Sequence, residues 1–311
     1  MEKIKILNAG AGALGAYFMG RLAQTGRAEI SVLLRSDYDA VKKNGFRIFS
    51  DKGDFVFHPA GVWHSAEEYP ETPDYIVVTS KVLPEIDLPA MIAPALKSPK
   101  TVIVLIQNGI GIEDAVAEAF PDHELISTVA YLGATRCAPG TVRQKGTTEL
   151  KFGKFGGGFS EAGKRFAELF EGTSVKTSFV DNIAYFRWVK LLWNVPYNPV
   201  SVLGGGLDTA EMSDRGKTEA LCRIMMEEVR LTAGSAGIQI PEHLIDDNIE
   251  YTRNFPPYKT SMLADYEAGR RLETEAILGN VCRIAAKNGV KVPHLDTVYA
   301  LLSAAAAKRN R

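Results

Sequence analysis

Apolar, β-rich runs alternate with stretches of helical period through the first half of the chain. The runs are Ile4 to Leu7, Ile30 to Leu34, Tyr75 to Thr79, Val102 to Ile106 and Leu125 to Leu132. That alternation predicts a parallel sheet wound by helices. Between Gly45 and His58, two apolar runs flank Asp51-Lys52-Gly53, the pattern of a hairpin inserted into the winding. A second two-stranded unit is expected around Thr141 to Lys151, then a helix over Glu161 to Phe170 and a short strand over Ser174 to Thr177. From about Asn182 the period changes. Leu221, Ile224, Met225, Val229 and Thr232 recur at helical spacing, as do Ala276, Ile277, Asn280, Val281 and Ile284. The expected fold class is therefore α/β: an N-terminal Rossmann-like doubly wound sheet over residues 1–178, followed by an all-helical C-terminal domain over residues 179–311.

A length of 311 residues suits two domains. With 36 Lys+Arg against 37 Asp+Glu, no overall field gathers a polyanion, so neither nucleic acid nor a membrane surface is expected as a partner. No stretch approaches the roughly 18 apolar residues that spanning a bilayer requires. The first strand runs directly into a glycine loop, leaving no room for a signal peptide, and a soluble cytoplasmic protein is the expectation. Cys137, Cys222 and Cys282 are odd in number and widely spaced, which argues against a disulfide framework or a structural zinc site. Buried thiols and no metal are expected.

The glycine loop changes this picture from fold to function. Gly10-Ala11-Gly12-Ala13-Leu14-Gly15 follows the first strand and opens a helix, the context in which G-x-G-x-x-G binds a dinucleotide. Gly10 permits the tight turn, Gly12 lets the backbone approach a pyrophosphate, and Gly15 lets helix and strand pack closely, while the helix N-terminus offers N–H groups to the anion. At the end of the second strand an NAD site would place an acid for the ribose 2′-hydroxyl. This chain has Arg35-Ser36, and a guanidinium there favours NADPH over NADH, although Asp37 follows closely. Lys81 ends the Tyr75 strand and Asn108 the Val102 strand, so both reach the carboxyl edge where open parallel sheets bind ligands. There Lys81 could lie along the cofactor phosphates or the substrate carboxylate and Asn108 could bond the nicotinamide ribose or the substrate; equally, the two could be a solvated lysine and a turn-forming Asn-Gly.

In the helical half, Lys190, Asn194 and Asn198 stand at i, i+4 and i+8 and cover an arc of only about 80°. A polar stripe on a largely apolar helix needs partners, either a ligand or neighbouring backbone. Pro196 and Pro199 deprive Leu192 and Val195 of helical acceptor bonds. Further on, Ser261 and Glu273 would be about 18 Å apart on one straight helix, so a break at Gly269 is needed if both are to hold one small substrate. Otherwise Glu273 is a solvated residue on a long helix.

Taken in order, the glycine loop, Arg35, Lys81, Gln107-Asn108-Gly109-Ile110-Gly111, the Lys190/Asn194/Asn198 stripe, and Ser261-Met262 followed by Glu273 resemble ketopantoate reductases (2-dehydropantoate 2-reductases) over nearly the whole chain. The resemblance implies a Rossmann domain for NADPH, a helical domain that closes over the substrate, and reduction of 2-dehydropantoate to pantoate on the route to vitamin B5 and coenzyme A. It implies Lys190 as catalytic lysine and Glu273 as a substrate-binding, catalytically important acid. It further implies Asn108, Asn194, Asn198 and Ser261 as substrate contacts and Lys81 as the cofactor-side lysine. Two departures stand out: Val82, Leu83 and Pro84 follow Lys81 where the family often has a glutamine, and Leu278 replaces an asparagine in the run after Glu273. In the reaction an alkoxide develops at C2, and a protonated Lys190 can stabilise it and deliver the proton. A reference pKa of about 10.4 would keep that lysine in the acid form without perturbation. The same apparatus acting on another 2-oxoacid stays open, as does a noncatalytic NADP(H)-binding redox sensor, which the polar stripe opposes. A small-molecule 2-oxoacid is the expected partner, with a homodimer left open.

Overall fold

In the computed structural model, which describes residues 3–309, the strands join one mixed sheet. They are β1 (Ile4–Ala9), β2 (Ala28–Leu33), β3 (Phe46–Ser50), β4 (Phe55–Phe57), β5 (Gly61–Trp63), β6 (Tyr75–Val78), β7 (Val102–Ile106), β8 (Leu125–Ala138), β9 (Thr141–Lys154) and β10 (Lys176–Phe179). The order is β4-β3-β9-β8-β7-β6-β1-β2-β5, with β10 beside β9. From β5 to β8 every pair is parallel. This is the doubly wound arrangement, and its winding reverses between β1 and β6, the position where such sheets take ligands.

Both faces of these strands are covered, which is why they read as continuous apolar runs. Tyr75, Val77, Val102, Val104 and Ile106 join one core, and Ile76, Val78, Ile103 and Leu105 the other. The helices of this half are α1 (Ala13–Ala23), α2 (Tyr38–Asn44), α3 (Leu88–Ile92), α4 (Asp114–Ala119) and α5 (Glu161–Glu168). Tyr17, Phe18, Met19 and Leu22 of α1 are fully buried in the first core.

β3 and β4 form the expected hairpin, Phe46 opposite Phe57. The expected two-stranded unit over Thr141 to Lys151 is instead a single strand, β9, paired along its length with β8. Gly146, at φ 77°, accommodates the register shift near Gly133 and Lys145 rather than making a turn. Cys222 and Cys282 are buried as expected, but Cys137 is exposed, because it lies near the tip of this ribbon where the strands leave the core.

The chain divides into two compact units: Met1–Lys81, Glu85–Asn108 and Ile112–Ile183 in one, and Val82–Pro84, Gly109–Gly111 and Ala184–Arg311 in the other. The main break follows residue 183 rather than 178. β10 extends to Phe179 in register with β9, and the Val180 N–H donates to the Phe152 carbonyl at 2.8 Å, so this stretch belongs to the sheet.

The second unit carries α6 (Ile183–Leu203, beginning one residue before the break), α7 (Thr209–Met212), α8 (Lys217–Ser235), α9 (His243–Asn254), α10 (Ser261–Glu267), a π-helical turn (Glu275–Gly279), α11 (Asn280–Lys287) and α12 (Pro293–Arg309). Its core is built on Leu191, Leu192 and Val195 of α6 and Met225, Met226 and Val229 of α8. α6 continues through both Pro196 and Pro199. Tyr197 is wholly buried, stacks on Trp193 at 5.0 Å and pairs its hydroxyl with Ser213 at 3.1 Å, so it is a core residue. No described helix is long and apolar enough to cross a membrane.

Candidate active site

One group of candidate residues lies within the first unit, at the carboxyl ends of β1 and β6. Asn8, fully buried in β1, donates from Nδ2 to the Val77 carbonyl at 2.8 Å and to Thr79 Oγ1 at 2.9 Å, and Thr79 Oγ1 donates to the Gly10 carbonyl at 3.0 Å. These bonds clamp the two strand ends together under the glycine loop. Gly10 has φ 79°, and a Cβ there would stand 2.5 Å from the Ser80 Cβ. At Gly15 a Cβ would stand 2.3 Å from Thr79 Oγ1 and 2.6 Å from Asn8 Oδ1. Neither site has room for a side chain.

Gly12 differs: a Cβ there meets nothing within 4 Å. It is also the N-cap of α1 and offers no side-chain acceptor, so no cap competes with a ligand for the N–H groups of the first turn, which includes Ala13, Leu14 and Gly15. Open space over uncapped N–H groups fits the pyrophosphate of a dinucleotide. Gly12→Ala should thus keep thermal stability within about 0.5–1 kcal/mol of the parent while weakening dinucleotide binding roughly tenfold or more, since the methyl lies where the anion approaches. Unchanged affinity by titration calorimetry would remove the pyrophosphate from this loop.

Arg35 follows β2 and is exposed. Asp37 is buried, accepts from Arg136 Nε at 2.9 Å and from the Gly140 N–H at 3.0 Å, and also pairs with Arg136 Nη2. Burial alone would raise this carboxyl, but the Arg136 and Gly140 hydrogen bonds outweigh it and hold it below its ordinary value. The acid nearest Arg35 in sequence is therefore already paired. Lys81 and Asn108 follow β6 and β7 and are partly buried at the same edge, and Gln107 Nε2 ties the two strand ends by donating to the Ser80 carbonyl at 2.8 Å.

A second group of candidate residues is built within the helical unit, on α6. Asn198 is almost fully buried and its amide is occupied by backbone, donating to the Asn194 carbonyl at 3.1 Å and accepting from the Met262 N–H at 3.4 Å. It positions the start of α10, where Thr260 caps the helix and shares a 2.6 Å hydrogen bond with Ser201. Exposed Ser261 is thereby held beside Asn198. Asn194 is 8% exposed, and its carboxamide has no hydrogen-bond partner among the described residues. Of the two asparagines, this one is available to a ligand.

Gly269 does break the chain, with φ 72° just beyond the end of α10. Glu273 is not on a long surface helix: it precedes the π-helical turn, and its carboxylate accepts the Val82 N–H at 2.9 Å. The turn itself is anchored by Gly109–Gly111. Gly109, at φ 104°, sits where a Cβ would be 2.4 Å from the Ala276 carbonyl oxygen, which accepts the Ile110 N–H at 3.0 Å. Asn280 Nδ2 donates to the Ile110 carbonyl at 2.6 Å. A π turn inside a helix is a recurrent mark of functional sites.

Lys190 is the charged centre of this group. Burial, reinforced by the Arg187 guanidinium and opposed in part by Glu273, pushes its pKa down to about 7. The unperturbed lysine expected from the sequence is thus corrected, because desolvation penalises the ammonium more than one carboxylate restores it. Arg187 escaped the sequence reading. It is buried, donates to the Gly109 carbonyl at 2.9 Å and stands three residues before Lys190, an i,i+3 spacing that puts both cations on neighbouring turns. A lysine that changes charge near neutrality, an adjacent acid and an amide open to a ligand can together bind a carbonyl, stabilise an alkoxide and transfer its proton.

Residues 6–157 match the family model described as ketopantoate reductase PanE/ApbA, and residues 182–306 match its C-terminal counterpart. A 2-dehydropantoate 2-reductase of Nostoc sp. is 31% identical over 96% of this chain and 94% of its own length. The crystal structure of 2-dehydropantoate 2-reductase from Methylococcus capsulatus is 42% identical, superposes with a TM-score of 0.92 and covers 99% of this chain and 98% of that one. A D-mandelate dehydrogenase solved with NADH and anilino(oxo)acetate shares the fold at 23% identity, with a TM-score of 0.87 and coverage of 99% of this chain and 100% of that one.

Proposed function

Because the chain belongs to the ketopantoate reductase family and is an oxidoreductase that works with a pyridine nucleotide, we propose that it reduces 2-dehydropantoate to (R)-pantoate with NADPH, in pantothenate and coenzyme A biosynthesis. The observation that carries the chemistry is Lys190, whose pKa is lowered to about 7 with Glu273 as the opposing charge. In this reading the glycine loop and the first turn of α1 hold the pyrophosphate, and Arg35 pairs with the 2′-phosphate. Lys81 and Asn108 lie toward cofactor and substrate at the strand ends. NADPH, when bound, supplies the hydride to C2 of the oxoacid. Lys190 stabilises the oxyanion and gives it the proton from Nζ, Asn194 binds the substrate's polar groups, Asn198 holds Ser261 in place, and Glu273 accepts the 4-hydroxyl.

Oxidation of NADPH and of NADH with a panel of 2-oxoacids that includes 2-dehydropantoate tests this reading in the parent and in Arg35→Ala. The expected result is a preference for 2-dehydropantoate and for NADPH, with Arg35→Ala losing roughly tenfold or more in NADPH affinity and little in NADH affinity. Equal affinities in the parent reject the phosphate assignment, and a faster turnover of another oxoacid reassigns the substrate. The D-mandelate dehydrogenase likeness, which shows the fold alone, makes aromatic 2-oxoacids a useful arm of the panel.

A further inference from the structure

Asp37 and Arg136 form a pair that the reaction does not use. Asp37 lies two residues after Arg35, in the segment where NAD-binding sheets place the acid that accepts a ribose 2′-hydroxyl. Here its side chain is only 7% exposed. Arg136, from the far end of β8, meets both carboxylate oxygens, the Gly140 N–H adds a bond at 3.0 Å, and the Ser36 hydroxyl donates to Oδ1 at 3.1 Å. The long β8–β9 ribbon thus has a definite task at its tip: Arg136 and Gly140 flank the turn that joins the two strands, and both close on Asp37.

We propose that Arg136 is a positioning residue for cofactor choice, which by holding the Asp37 carboxylate buried and neutralised keeps the exposed Arg35-Ser36 turn electropositive toward a nucleotide 2′-phosphate. The physical reason is the alternative open to Asp37. Without Arg136 a buried carboxylate retains only the Gly140 N–H and the Ser36 hydroxyl, and leaving a buried anion without its cation is costly. Turning into solvent relieves that cost. There the nearest cation in sequence is Arg35, so the acid would compete with the phosphate for the guanidinium and repel the phosphate itself. A ribose 2′-hydroxyl suffers neither penalty and gains an acceptor. Loss of Arg136 therefore acts on the discrimination between cofactors rather than on nucleotide binding in general.

This proposal rests on the NADPH reading above, and the test separates the two. Dissociation constants for NADPH and NADH are measured on the full-length parent, Arg136→Ala, Asp37→Asn and the double variant, with melting temperatures recorded alongside. The NADPH reading stands or falls on the parent alone. For the proposal, Arg136→Ala should lower the NADPH-over-NADH affinity ratio roughly tenfold, mostly through weaker NADPH binding. The double variant, which removes the buried anion together with its partner, should return the ratio to within about threefold of the parent even if its melting temperature stays reduced. Asp37→Asn alone should leave the ratio near the parent's. Equal weakening of both cofactors by Arg136→Ala would show a purely structural clasp and overturn the proposal, as would a double variant that keeps the Arg136→Ala ratio. Should Arg136→Ala not fold, Arg136→Gln replaces it, and an unaltered ratio in that variant overturns the proposal as well.

Discussion

Lys190→Ala is expected to lower kcat for carbonyl reduction by roughly 10² or more, the scale of losing a positioned general acid, with cofactor affinity little changed. In the proposed mechanism the ammonium is the working form, and its pKa is lowered from 10.5 to about 7. Reduction should consequently slow as pH rises through about 7, while oxidation of the hydroxyacid, which needs the neutral amine as base, should accelerate over the same range. A pH–rate profile of the parent in both directions, set beside the variant, checks this; a reduction rate that stays level to about pH 9 would remove Lys190 as the titrating acid. The same shift bears on stability. Between about 7 and 10.5 the folded chain binds fewer protons at Lys190 than the unfolded chain, so this side chain's contribution to stability rises with pH across that window and its penalty is complete below it. Lys190→Met should lack that slope in denaturant titrations run at several pH values.

Glu273→Gln should reduce kcat/KM for 2-dehydropantoate by tenfold or more, about 1.5–3 kcal/mol of transition-state stabilisation, because a neutral amide replaces an ionic acceptor for the substrate hydroxyl. A 2-oxoacid without the 4-hydroxyl should be a poorer substrate for the parent and lose far less in the variant. Comparing both compounds on both proteins closes the cycle, and equal losses would show that Glu273 does not read the hydroxyl. A second readout is independent of substrate structure. Glu273 partly restores the pKa of Lys190, so its neutralisation should move the alkaline limb of the reduction profile to lower pH. The Val82 N–H now bonds to the carboxylate, and glutamine can retain that bond through its carbonyl oxygen, so the local fold should survive. A profile that does not move, with unaltered kinetics, would leave Glu273 a structural role only, the bond from the Val82 N–H included.

Much of this was legible in the chain itself, because local pattern encodes local geometry. Continuous apolar runs specified strands buried on both faces, the spacing of Gly10, Gly12 and Gly15 specified the turn and the uncapped helix end, and helical period placed Lys190, Asn194 and Asn198 on one side of α6. Tertiary structure decided what those groups meet. The asparagines look alike at i and i+4, yet the Asn198 carboxamide is occupied by the Met262 and Asn194 backbone while that of Asn194 is not, a distinction made in part by a helix over sixty residues away in the chain. The pairing of Asp37 with Arg136 joins residues 99 apart, so no local pattern announces it. Lys190 reads as an ordinary lysine until burial and Arg187 are known, since desolvation depends on everything packed around a group and not on its neighbours in sequence. Glu273 likewise reads as a surface residue of a long helix, and only the anchoring of Gly109 and Ile110 on the Ala276 carbonyl reveals the π turn that takes it out of that helix.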